Sequence, residues 1–145
     1  MVDFKKLIPE LAEWNNGDEI DIENWIDCIG NFKHAIAYST IFWPDFIEFE
    51  DCVFKAQHFN EANVLNWLKH TSGDKQATEK VVNHLHLDDL FPNAEDTTDE
   101  QEEYLANIIK EMWEMKLERD FPNRNFEVIL INDEFELQIT FYQPR

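Results

Sequence analysis

The chain has 145 residues, 43% of them apolar and 14% aromatic, enough to bury a working core without disulfides or metals. Its 31 acidic residues against 12 Lys and Arg leave a formal charge of −19. Such a surplus repels nucleic-acid phosphates and anionic membrane surfaces, and draws basic proteins instead.

Cys28 and Cys52 are the only cysteines, at no metal-knuckle or redox spacing, and both sit among apolar neighbours. They read as small buried hydrophobes with free thiols. The N-terminus lacks the apolar core of a signal peptide. No apolar run approaches the roughly 18 residues of a membrane span, so the expected location is the cytoplasm.

Phe4, Leu7, Ile8, Leu11 and Trp14 form a helical stripe broken at Pro9 and ended by Asn15-Asn16-Gly17. Asp21 caps a second helix with Ile22, Trp25, Ile26 and Ile29 on one side, finishing at Gly30. Asn31 caps a third, whose apolar residues run from Phe32 to Trp43 and stop at Pro44. It is apolar over much of its circumference and is expected to be the most buried helix. Phe46–Phe49 and Cys52–Phe54 flank Glu50-Asp51 as a short hairpin. Asn60 caps a helix ending near Thr71-Ser72-Gly73, and Asp74 caps the next, which is expected to include His84. Residues 87–96 read as a loop broken at Pro92.

The strongest signal follows. Thr98 and Gln101 form a capping box, acids crowd the first turn, and Leu105, Ile108, Ile109, Met112, Trp113 and Leu117 mark one apolar face. Phe121-Pro122 stops this helix after about 21 residues, a rod of roughly 30 Å. Phe126, Val128 and Leu130 then alternate, Asn132-Asp133-Glu134 turns, and Phe135, Leu137, Ile139 and Phe141 alternate again. Helices first and strands last predict an α+β fold. The expectation is one mostly helical domain over residues 1–145 with about five to six helices, a C-terminal antiparallel hairpin at about 126–142 and a short hairpin near 46–54.

Three scattered glycines build no dinucleotide fingerprint, phosphate loop or nucleophile elbow. Ser39 lies mid-helix, where a buried hydroxyl bonded to a preceding carbonyl is the expectation. His84 and His86 are the one pair with ligand chemistry, sharing a face if extended and diverging by about 200° on a helix. No matching pair occurs elsewhere, so neither a metal nor another cofactor is expected. Carboxylates are too abundant for any one pair to argue acid–base catalysis.

Charge runs carry more. From Glu10 to Asp27 there are seven acids and no Lys or Arg. From Asp88 to Glu103 there are eight, again with no cation: Asp88, Asp89, Glu95, Asp96, Asp99, Glu100, Glu102 and Glu103. The second run joins a loop to a helix start, where several carboxylates can meet on one surface. All five tryptophans fall on apolar stripes and read as core, with Trp43, beside Asp45, the aromatic expected to show at the surface.

In size and charge the chain is similar to immunity proteins and inhibitors that neutralise nuclease toxins, an analogy of type carried by no motif. It implies a non-catalytic acidic module that holds a basic protein surface and contacts neither nucleic acid nor membrane. The rival readings are a small carboxylate- and His-dependent enzyme, and an accessory subunit of an assembly.

Overall fold

The computed structural model describes residues 1–145 and is α+β. In chain order come α1 (Phe4–Leu7), α2 (Ile22–Ile29), α3 (Phe32–Phe42), β1 (Phe46–Phe49), β2 (Cys52–Lys55), α4 (Glu61–His70) and α5 (Lys75–Val82). Then follow β3 (Leu85–His86), α6 (Asp99–Asp120), β4 (Glu127–Asn132) and β5 (Leu137–Tyr142). Contacts divide the chain into two units, residues 1–39 and 40–145.

In the first unit Pro9 limits α1 to one turn and opens a 3₁₀ turn, Pro9–Leu11. Leu11 is the unit's one buried residue, and its carbonyl accepts from Ile20 N–H at 2.9 Å. The Asp21 carboxylate caps α2 through Asn24 N–H at 2.9 Å. Gly30 follows its last residue, at a position where a Cβ would collide with the Ile26 carbonyl oxygen. Cys28 is exposed, contrary to its apolar sequence surroundings. α3 crosses the boundary between the units and is the least buried of the long helices rather than the most. Apolar residues around its whole circumference cannot all be covered, and residues 31–40 are all exposed. Ser39 is exposed too, although its hydroxyl does donate to the Ile36 carbonyl at 2.6 Å.

In the second unit α6 packs on a three-stranded antiparallel sheet of order β3-β5-β4. Ile109, Trp113 and Leu117 meet Val128, Ile139 and Phe141 in the main core, and Trp113 Nε1 donates to the Ile41 carbonyl at 2.9 Å. Trp113 is the only buried tryptophan; the other four keep solvent contact. β3 is the strand the sequence reading missed. α5 stops at Val82, Asn83 caps it, and Leu85 and His86 pair with Ile139 and Gln138. His84 therefore lies outside the helix expected to contain it. The stretch read as a plain loop from 87 starts with a 3₁₀ turn, Leu87–Asp89, that buries Leu87.

The β1–β2 hairpin turns at Glu50 and Asp51, both at positive φ, the geometry that matches strand twist in a two-residue loop. α5 ties this hairpin to the sheet through buried polar groups. Glu79 is fully buried and accepts from Val53 N–H at 2.9 Å, Gln143 N–H at 2.7 Å and Arg145 Nη2 at 3.3 Å. Asn83 Nδ2 donates to the Val53 carbonyl at 2.9 Å, and Thr140 Oγ1 to the Lys80 carbonyl at 2.7 Å. No helix is long and apolar enough to cross a membrane.

Candidate functional site: an anionic groove

Asp99, Glu102, Glu103 and Asn107 recur at helical spacing and share one face of the first turns of α6. β4 runs back along that helix. The β4–β5 turn comes to lie across from those acids. Between them lies a groove of about 450 Å³, with Leu130 and Leu137 among its lining and Asp133, Glu134, Phe135 and Glu136 on the far wall. Six carboxylates line it and no Lys or Arg does. The chain has no cation from residue 81 to 109 or from 125 to 144, so none is available locally. A second cleft, of about 330 Å³, mixes Glu114 and Glu118 with Arg124, whose Nη2 is held by Glu48 at 2.7 Å.

The far wall is held by its own hydrogen bonds. Asp133 Oδ1 accepts from Phe135 N–H at 3.0 Å and Glu136 N–H at 2.8 Å, an Asx turn that fixes the loop. Phe135 is thereby left 85% exposed at the lip. Alternation had placed it in the strand, but β5 begins at Leu137. Glu136 Oε2 lies 2.8 Å from His86 Nδ1 and accepts from Gln138 Nε2 at 3.0 Å. On the near wall, burial and then the hydrogen-bonded Asp88 carboxyl hold Glu102 above the usual glutamate range, with Asp99 adding to the effect.

Of the residues the sequence singled out, Asp99, Glu102 and Glu103 line the groove, and Asp88 joins it through Glu102. Asp89, Glu95, Asp96 and Glu100 are exposed but not among the lining. Trp43 and Asp45 belong elsewhere: Lys116 Nζ sits 5.8 Å from the Trp43 ring and 3.8 Å from Asp45 Oδ1. Lys116 is 14 residues beyond Glu102, about 21 Å along α6. The His84 and His86 rings meet edge to face at 4.7 Å, and His84 Nδ1 is turned onto the Val81 carbonyl. No group of three or more His, Cys, Asp or Glu is placed to hold a metal ion. Sequence reasoning missed Asp133, Glu134, Phe135 and Glu136. The return of β4 along α6, implied by the stop at Phe121-Pro122, was the signal that could have placed them.

Fold and groove together define an acidic α+β protein with a cation-free cleft between a helix start and a hairpin turn. The chain belongs to the family described as "Uncharacterized protein PM0498 family", which it matches over residues 37–145, 109 of its 145 residues. That span coincides closely with the second unit, which holds the groove. No curated protein and no solved structure matches the chain.

Proposed function

We infer that the protein is a non-catalytic binding module that holds a Lys/Arg-rich protein surface in this groove. Its action is that of an immunity or inhibitor protein against a basic, nuclease-like partner in the cytoplasm. The supporting observation is the cleft itself, six carboxylates and no Lys or Arg beside an exposed phenylalanine. Like charges gathered in one cleft build a negative potential there and steer a cationic partner to it. A Lys or Arg entering between Asp88 and Glu102 relieves the repulsion between the two carboxyls with a permanent positive charge. Phe135 supplies the dry aromatic contact in which interfaces concentrate their energy.

The test uses the full chain, immobilised, against polylysine and against a basic ribonuclease. Association should slow on the order of tenfold or more between low and high salt. Reversing groove charges with Glu102→Lys and Glu136→Lys should weaken capture more than the same change at Glu95 and Asp96, which line nothing. Binding indifferent to salt, or equal losses at both pairs, would remove the groove from the account.

A further inference from the structure

β2 carries a charge toward the core. Side chains alternate along a strand, and here they feed two clusters. Cys52 and Phe54 join the smaller one with Val64, while Val53 belongs to the main core with Ile109, Trp113 and Phe141. Lys55 falls on the same side of β2 as Val53, and Phe46, its partner across the hairpin, packs on that core too. The Lys55 ammonium accordingly lies over the buried Trp113 ring, 5.2 Å from its centroid. Its backbone N–H donates to Asn83 Oδ1 at 3.1 Å, which fixes the root of the side chain.

Lys116 also lies beside aromatic rings, those of Trp43 and Phe46, but Asp120 holds its Nζ at 2.6 Å and Asp45 at 3.8 Å. Lys55 has the ring and no carboxylate, in a chain with 31 acidic residues. An ammonium drawn out of water without a counter-ion is disfavoured against the neutral amine. The indole face favours the charged form, yet burial outweighs it. The Lys55 amine is pulled down to about 8, and no neighbouring charge contributes. The side chain is half-buried rather than sealed, so a small reagent can reach it. We propose that Lys55 is the nucleophilic lysine of this protein, the site at which small uncharged aldehydes form an imine. The nitrogen lone pair attacks the carbonyl carbon, a C=N bond replaces C=O, and the oxygen leaves as water with the two amine protons. The charge of −19 repels anionic acyl donors such as acyl phosphates, which leaves neutral carbonyls as the class that arrives. Lys55 does not line the groove, so this chemistry is independent of the basic partner.

The test treats the full chain with carbon-13 formaldehyde and cyanoborohydride, which reduces each imine to a stable methylamine, and follows the methyl signals by NMR. Lys55 is assigned by the signal that Lys55→Arg removes, which also separates it from the α-amine of the chain. At about pH 7.5 it should react about tenfold or more faster than the exposed Lys6, Lys33 and Lys69. That lead should shrink as pH rises toward the ordinary lysine value of about 10.4, where every amine is free, and vanish in urea. Labelling by glyoxylate, an aldehyde that carries a carboxylate, should be slow at low salt and rise as salt screens the chain. A Lys55 no faster than the three exposed lysines overturns the proposal. So does a lead that survives urea, or glyoxylate labelling of Lys55 that ignores salt.

Discussion

At Glu102 burial and the Asp88 carboxyl favour the protonated form, so folded protein binds that proton more tightly than unfolded chain. A raised carboxyl costs stability at neutral pH, and the cost fades as pH falls through the raised value, where both states are protonated. Glu102→Gln should therefore raise the melting temperature slightly at neutral pH, the site being partly solvated, and show no gain in acid. The same variant should weaken polylysine capture, so that stability and binding move in opposite directions. At the cysteines, Cys52 is fully buried and its thiol is pushed up to about 11, by burial first and then by Glu79, while Cys28 is exposed. A thiol reagent at neutral pH should label one cysteine in the native protein and the second only after denaturation. Immediate labelling of both would contradict the packing around β2.

Among the elements, α5 carries more of the architecture than its eight residues suggest. Its Glu79 and Asn83 satisfy backbone groups of β2 and of the strand end near Gln143, joining two sheets that share no strand pairing. Glu79→Ala strands several buried donors at once and should cost about 3 kcal/mol in urea unfolding, with both sheets lost in one transition. The helix starts were legible because each cap is a local event: Asp21, Asn60, Asp74 and Thr98 all bond the N–H groups expected of them. α3 and β3 were not. Periodicity tells which residues share a face, and says nothing of whether another element covers it. A two-residue strand such as Leu85–His86 has no period to read, and only its pairing with β5 makes it one.

For the whole molecule, net charge is the ground for proposing a basic partner, and the charge run from Asp88 to Glu103 supplied one wall of the groove. The opposite wall was hidden because Asp133 to Glu136 lie about 30 residues further along the chain and read as a turn running into a strand. Proteomics offers a further handle. Trypsin cuts after Lys and Arg, and with neither residue between Lys80 and Lys110 nor between Arg124 and Arg145, every residue lining the groove falls in peptide 81–110 or 125–145. Amine-directed cross-linkers are blind to both stretches, whereas carbodiimide coupling to a bound partner's lysines would mark these two fragments.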